Sequence, residues 1–284
     1  MNLITTTYNN INKKSMEEVL FCINKNIKNR LFKRIIIFLE ISNSISEIDN
    51  KLISQKSSIL PHILENIKPE FINLLENKKI YFKFINRRPT YKYMLNFCNS
   101  FERNKIFIIS NSDIYFPIWN INQLKKVQFL NMFKTYLVLT RYNIYDQLLD
   151  KIKAIQSGVM IKYGNIRYQT QHRNGCSIDS WIFKTPINLS RANFDIEIGR
   201  PGCDGHMNYQ LSKIGRVYNP CLSIISIHNH KNWDGSTTYK NINYHGKNFS
   251  KKEWKDFMLS KGFKLASIKF CKLSNLPHKY KKKY

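Results

Sequence analysis

The feature that most restricts the fold is a run of large apolar residues that ends abruptly in polar ones. The run covers residues 106–109 and is followed by Ser110-Asn111-Ser112-Asp113. Four consecutive apolar residues predict a strand buried on both faces, as in the middle of a parallel sheet. Ligands of open α/β sheets bind just beyond the carboxyl ends of such strands, where Asn111 and Asp113 stand. All three residues of 111–113 are also turn formers, so a simple turn is equally consistent with this segment alone.

The same layout occurs twice upstream. Residues 2–4 lead into Thr5-Thr6-Thr7-Tyr8, and the apolar run 35–39 ends in Glu40. Between these runs, apolar residues recur at helical spacing, and Ser15 with Glu18 matches a capping box. The segment therefore predicts a strand–helix–strand unit with its polar endings along one edge of one sheet.

Later segments extend this pattern. Strands are predicted at 80–85, 135–140 and 180–184, with a helix after Thr90 and another after Cys203. We expect an α/β fold with a mixed, mostly parallel sheet flanked by helices. It forms a single domain over 1–245, and a basic C-terminal extension covers 246–284. The polar, glycine-containing segment 143–178 is predicted to be a mobile loop or an insertion. As a mobile loop it would form a lid over the bound ligand.

The chain is strongly basic. Its net charge is +27, with 35 Lys and 11 Arg among its 284 residues, which suggests nucleic-acid binding. Heavy use of Lys, Asn and Ile is also what an AT-rich genome imposes on any protein, and Arg is not enriched. Residues 247–284 hold 12 Lys against two acids, so this tail can contact an anionic surface or simply be a soluble end.

Targeting and redox features are weak. No run of about 18 apolar residues predicts a transmembrane helix, and the predicted first strand leaves no room for a signal peptide. We therefore expect a cytoplasmic protein. The six cysteines show no spacing typical of a zinc site or a redox dithiol.

With these elements placed, the chain resembles the nucleotide-sugar-dependent glycosyltransferases of the GT-A fold. The resemblance rests on the order and spacing of several short segments: 3–8, 38–40, 110–116, 179–183, 199–204, 219–220 and 228–230.

The resemblance implies a donor site at the strand ends. The nucleotide sugar would be bound by Thr5, Thr6, Tyr8, Glu40, Arg87, Asn111 and Asp113. Arg87 and its neighbour Arg88 would face the diphosphate, although arginines at the surface are the general rule.

The resemblance also implies a divalent metal, Mn²⁺ or Mg²⁺. The acid-x-acid motif of the family is here Asn111-Ser112-Asp113, so an amide replaces one carboxylate. Asp113 would be the principal ligand, because carboxylate oxygens suit hard cations. His228 or His230 would complete the shell, and alternation along a strand would place both on one face.

Two further roles follow from the resemblance. Asp204, at the start of a helix, would be the catalytic base that accepts the proton of the acceptor hydroxyl; helix capping is an equally common role for such an Asp. Trp181 would be a stacking platform for the acceptor sugar, although most tryptophans are buried.

The sequence thus favours a glycosyltransferase that moves a sugar from a nucleotide-diphosphate donor to a hydroxyl acceptor, such as a glycan. A catalytically inactive domain that binds a glycan or a partner is the main alternative. A basic nucleic-acid-binding protein is a third, and it rests on charge alone. The contiguous His228-Asn229-His230 does not indicate an HNH nuclease, whose motif residues are dispersed over a ββα unit.

Overall fold

The computed structural model describes residues 1–9, 11–41, 52–59, 61–144, 158–170, 177–229, 242–244, 247–260 and 262–276. Its strands, in chain order, are β1 (Asn2–Tyr8), β2 (Arg34–Glu40), β3 (Ile80–Ile85), β4 (Ile106–Ser110), β5 (Ile114–Tyr115), β6 (Thr135–Thr140), β7 (Tyr142–Ile144), β8 (Met160–Tyr163), β9 (Ile166–Gln169), β10 (Ile178–Lys184), β11 (Arg216–Tyr218), β12 (Ile227–His228), β13 (Ile242–Tyr244) and β14 (Lys247–Phe249).

The helices are α1 (Lys13–Ile27), α2 (Pro61–Leu64), α3 (Pro69–Leu74), α4 (Tyr91–Phe101), α5 (Ile121–Lys126), α6 (Cys203–Ile214) and α7 (Lys251–Ser260). No helix in these described ranges is both long and apolar enough to cross a lipid bilayer.

A seven-stranded sheet forms the centre of the molecule, in the order β11-β6-β10-β4-β1-β2-β3. Strands β1, β2, β3 and β4 run parallel, and so do β6 and β11. Strand β10 runs antiparallel between β4 and β6. The expected mixed, mostly parallel sheet flanked by helices is confirmed. A second sheet of five strands, β5-β12-β7-β9-β8, lies beyond the carboxyl end of β4.

The central strands are buried on both faces. In β2, Ile35 and Ile37 belong to one apolar cluster, whereas Ile36 and Phe38 belong to the cluster on the opposite face. All four are fully buried. Period-2 alternation explains this division, and it explains why an uninterrupted apolar run predicts such a strand.

Helix α1 starts earlier than the predicted capping box. Asn12, in extended conformation, is the N-cap, and its side-chain oxygen accepts a hydrogen bond from the Ser15 N–H. Asn caps helices as well as Ser does, so the helix already begins at Lys13. Glu18 is buried within it rather than reaching back to a cap.

The chain beyond residue 246 packs against the rest of the molecule. Trp254, Met258 and Phe263 lie in the apolar cluster on one face of the central sheet, and Leu273 and Leu276 lie in the cluster on the other. The described residues of this segment therefore contribute to the core, while the boundary at 245/246 stays a prediction about folding units.

The predicted lid 143–178 is only partly described. Residues 158–170 contain the hairpin formed by β8 and β9, which extends the second sheet. This part of the segment is therefore regular β-structure rather than an irregular loop. Residues 145–157 and 171–176 lie outside the described part of the chain.

Candidate active site

A cleft of about 660 Å³ opens at the carboxyl edge of the parallel strands. Thr6 and Tyr8 of β1 line it, together with Glu40 at the end of β2. Asn111 and Asp113, just beyond β4, line the same cleft. Tyr8 and Glu40 are direct neighbours in the register of β1 and β2. The shared strand-end position therefore brings these residues together.

Asp113 meets a histidine from the second sheet. Nε2 of His228 lies 3.0 Å from Oδ2 of Asp113, and Nδ1 lies 2.8 Å from Oδ1 of Asn143. An amide oxygen only accepts, so Nδ1 is the donor to Asn143 and Nε2 is directed at the carboxylate. Metal-binding histidines are commonly oriented by such a bond from the second ring nitrogen.

The described side chains around Asp113 offer few ligands for the expected divalent cation. Among the described residues, no group of three or more His, Cys, Asp or Glu side chains is placed to hold a metal ion. Asp113 and His228 offer one carboxylate and one imidazole. A hard cation bound there would need its other ligands from amide, water or phosphate oxygens, which is a composition that Mg²⁺ and Mn²⁺ accept.

A buried carboxylate supports Asn111. Nδ2 of Asn111 donates to Oδ1 of Asp179 over 2.7 Å, and Nη1 of Arg141 donates to Oδ2 over 2.8 Å. The Asp179 side chain is 3% exposed. Asp179 engages one N–H of the Asn111 amide, which leaves the amide oxygen and the second N–H for a ligand.

Asp179 and Arg141 both line the cleft, and sequence reasoning gave neither a role. Burial works against the charge of Arg141, but Asp179, followed by Asp113, holds its pKa above the ordinary value. The one indication in the sequence that Asp179 could reach the cleft is its position directly before the predicted strand 180–184. Only the antiparallel direction of β10 brings a strand start to this edge.

Asp204 enters the cleft from the first turn of α6. Gly202, with φ of +81°, precedes this turn, a conformation that favours glycine. Oδ1 of Asp204 accepts a hydrogen bond from Tyr91 Oη over 3.3 Å and from Cys203 Sγ over 3.1 Å. Burial, and then the charge of Asp179, raises the pKa of Asp204 to about 7.

Two acid–base pairs lie along the cleft between the end of β2 and the start of α6. Nε of Arg88 lies 3.9 Å from Oε2 of Glu40, and Nη2 of Arg200 lies 2.6 Å from Oε2 of Glu197. Burial raises the pKa of Glu40, and the charge of Arg88 opposes this shift. Arg88 and Arg200 thus bring two guanidinium groups to the lining of the cleft.

Four predicted site residues are not among those that line the cleft. Thr5 is buried, and alternation along β1 separates it from Thr6. Arg87 does not line the cleft, whereas its neighbour Arg88 does. Trp181 is fully buried in β10, and its Nε1 donates to Oδ1 of Asn208. It therefore has no exposed ring face for the expected sugar stacking. His230 lies outside the described residues.

Comparisons with known proteins give no family. No protein-family model matches the chain, and no curated protein matches it. Among solved structures, HddC from Yersinia pseudotuberculosis is 11% identical over 64% of this chain and 76% of its own, with a TM-score of 0.34. A putative glucose-1-phosphate thymidylyltransferase from Bacillus anthracis is 11% identical over 76% and 85%, with a TM-score of 0.40.

A UDP-glucose pyrophosphorylase complexed with UDP-glucose is 10% identical over 80% and 90%, with a TM-score of 0.34. None of these three proteins bears the glycosyltransferase name that the sequence resemblance suggested. At such identities and TM-scores the similarity assigns neither a family nor an activity.

Proposed function

We propose that the chain is a nucleotide-sugar-dependent glycosyltransferase with a GT-A-like fold, which transfers a sugar to a hydroxyl acceptor. The observation that carries the proposal is the convergence of Glu40, Asp113 and Asp204 on one cleft. The three carboxylates differ in environment, and such differences separate binding, metal-ligating and proton-accepting roles.

The donor would lie along the strand ends. Thr6, Tyr8 and Glu40 would bind the nucleoside, with Thr5 supporting them from the buried face of β1. Arg88, in the position proposed from sequence for Arg87, would contact the diphosphate. Glu40 holds Arg88 at this edge of the cleft, and a guanidinium fork matches phosphate oxygens.

A divalent cation would be held by Asp113 and His228, with the amide oxygen of Asn111 beside them. Asp179 and Asn143 would orient Asn111 and His228 through the hydrogen bonds described above. When bound, Mn²⁺ or Mg²⁺ supplies positive charge to the leaving diphosphate.

Asp204 would accept the proton of the acceptor hydroxyl. The acceptor oxygen forms a bond to the anomeric carbon, while the bond from that carbon to the diphosphate oxygen breaks and its electron pair leaves with the diphosphate. A base with a pKa near 7 suits this role at neutral pH. The acceptor would enter on the side of α6.

A donor screen tests the proposal. The purified chain is incubated with Mn²⁺ and each common nucleotide sugar, and release of nucleoside diphosphate is followed with and without a panel of hydroxyl acceptors. Acceptor-dependent release supports a glycosyltransferase. Tight donor binding without release, measured by calorimetry, would instead indicate the inactive binding domain.

The same screen needs one further arm, because a cation beside a nucleoside pocket also suits nucleotidyl transfer. Nucleoside triphosphates are supplied with sugar 1-phosphates, and pyrophosphate is measured. Pyrophosphate release in this arm, with no acceptor-dependent release in the first, would contradict the glycosyltransferase proposal.

A further inference from the structure

The amino edge of the central sheet, opposite the cleft, is basic. Six of the seven strands have a Lys or Arg in or next to them at this edge. Those cations, in the order of the strands across the sheet, are Arg216, Lys134, Lys184, Lys105, Lys33 and Lys79. Lys184 belongs to this edge because β10 runs antiparallel.

Acids do little to cancel this charge. Within four residues of those strand ends the sequence places only Glu76 and Glu102. The Glu102 carboxylate is paired with Arg34, 2.6 Å from Nη1. Strands lie about 4.8 Å apart, so the edge is a row of positive charge roughly 29 Å wide.

Two exposed aromatic side chains lie next to this row. Phe129 is 53% exposed and Phe133 is 77% exposed, in the connection that leads into the amino end of β6. Leu130 and Met132 of the same connection are buried, so the two rings protrude from an anchored backbone. The Lys134 Nζ lies 5.5 Å from the ring centroid of Phe133.

The connection that carries the two aromatic side chains borders the basic row. Gln128, next to Phe129, lines a cavity of about 290 Å³ together with Lys33 and Lys105. Lys125 and Lys126 are exposed on the same connection, and no Asp or Glu occurs in the sequence from 114 to 145.

We propose that this amino-edge surface docks onto a lipid bilayer that contains anionic headgroups, and this inference does not depend on the proposed function. Phe129 and Phe133 enter the interfacial layer, as in other interfacial anchors. The exposed cations of the row face the headgroups, namely Lys33, Lys105, Lys134 and Arg216. The occupant is a bilayer rather than a nucleic acid because the charge comes mainly from Lys, whereas Arg is the usual residue for nucleic-acid recognition. The two exposed Phe rings also suit the boundary between headgroups and acyl chains.

Vesicle flotation with the full chain tests the docking. Vesicles of phosphatidylcholine are compared with vesicles that contain about 30% phosphatidylserine, at about 0.05 M and about 0.5 M NaCl. We expect binding to the phosphatidylserine vesicles, at least about 10-fold weaker binding to pure phosphatidylcholine, and loss of most binding at high salt. Equal binding to both kinds of vesicle, or none to either, would overturn the proposal.

Two double variants separate the apolar contribution to vesicle binding from the electrostatic one. Phe129→Ser/Phe133→Ser should weaken binding to phosphatidylserine vesicles about 10-fold or more, because the apolar contribution is lost. Lys33→Gln/Lys105→Gln should weaken it about 25-fold, at roughly fivefold for each lysine near the surface. Circular dichroism and melting should match the parent, since all four side chains are exposed.

A matched control removes the same charge elsewhere. Lys13→Gln/Lys92→Gln neutralises two exposed lysines in the first turns of α1 and α4, which follow the carboxyl ends of β1 and β3, and should change vesicle binding less than about twofold. If it weakens binding as much as the Lys33/Lys105 pair, only net charge acts and the surface is not a docking site. If single-stranded DNA binds more tightly than the vesicles and the Phe pair leaves vesicle binding unchanged, a nucleic acid is the partner instead.

Discussion

Asp204 is the residue whose surroundings depart most from those of an ordinary surface carboxylate. Its first-turn position in α6 would favour the charged form through the helix dipole, but burial and the nearby charge of Asp179 outweigh this and raise its pKa to about 7. Tyr91 and Cys203 donate hydrogen bonds to the same oxygen, which leaves the other oxygen to face the cleft.

Replacing Asp204 by Asn should remove the base and preserve the shape. The amide oxygen can still accept the hydrogen bonds of Tyr91 and Cys203, so donor binding should stay close to that of the parent. Sugar transfer should fall about 10²-fold or more, the usual scale for a lost general base. Asp195→Asn, an exposed Asp outside the cleft, serves as the control, and transfer by Asp204→Asn at the parent rate would show that Asp204 only caps the helix.

The same residue makes stability depend on pH. Its folded-state pKa lies near 7 against an ordinary value of 3.8. Between these values the folded state holds a proton that the unfolded state has lost, so stability falls as pH rises through 7. The Asn variant does not lose this stability as pH rises, because an amide does not titrate. Its melting temperature relative to the parent should therefore be higher at about pH 8 than at about pH 5, and an equal difference at both pH values would contradict the shift.

Asp113 should govern metal-dependent binding. Calorimetry with Mn²⁺ and a nucleoside diphosphate should show binding to the parent and at least about a 10-fold loss for Asp113→Ala, because His228 alone is a poor site for a hard cation. Asp195→Ala controls for the removal of a negative charge. Unchanged affinity in the Asp113 variant would place the cation elsewhere or remove it from the proposal.

At the scale of residues, the sequence predicts which side chains reach the cleft where a residue ends or follows a parallel strand. Glu40, Asn111 and Asp113 reach the cleft for that reason. Asp179 could not be foreseen, because its position depends on β10 running antiparallel. Burial is the general rule for a Trp, but the partners of Trp181, Tyr91 and Asn208, could not be foreseen, because they come from helices far away in the sequence.

At the scale of elements, helix α7 has a basic composition that suggests a soluble tail, yet the helix contributes to the core. The helix belongs to a Lys-rich segment, yet Trp254 is 3% exposed and its Nε1 donates to the Pro201 oxygen over 2.9 Å. Pro201 lies just before α6, so α7 supports the turn that presents Asp204.

Trp254→Ala should therefore destabilise the whole fold. Loss of a buried Trp costs about 3–5 kcal/mol, and denaturant unfolding should report a decrease of that size. Leu259→Ala, on the same helix at 60% exposure, should change stability by less than about 0.5 kcal/mol. A small effect of Trp254→Ala would mean that α7 is dispensable, as a purely basic tail would be.

Element identities were the most predictable part of the fold. Long apolar runs predict buried strands, and β2, β4 and β6 follow that rule. The second sheet was not predictable, because β5, β7 and β12 are only two or three residues long and acquire strand pairing solely from tertiary contacts.

At the scale of the whole molecule, the segments before and after residue 246 share both apolar clusters. We therefore expect a single cooperative unfolding transition by calorimetry, with equal van't Hoff and calorimetric enthalpies. Two resolved transitions, one of which disappears on deletion of 247–284, would instead support an independent C-terminal extension.

The position of β10 also has a consequence for biosynthesis. Strand β4 lies inside the finished sheet, but one of its sides pairs only with β10. On the ribosome, β1 to β4 are complete about 70 residues before β10 emerges, a delay of roughly 4–15 s at ordinary rates of translation. Through that interval the nascent chain carries an open apolar edge, Ile106–Ser110, of the kind that recruits chaperones or another nascent chain. The strand that holds Asp179 at the cleft therefore also ends the period in which this protein is most prone to aggregate.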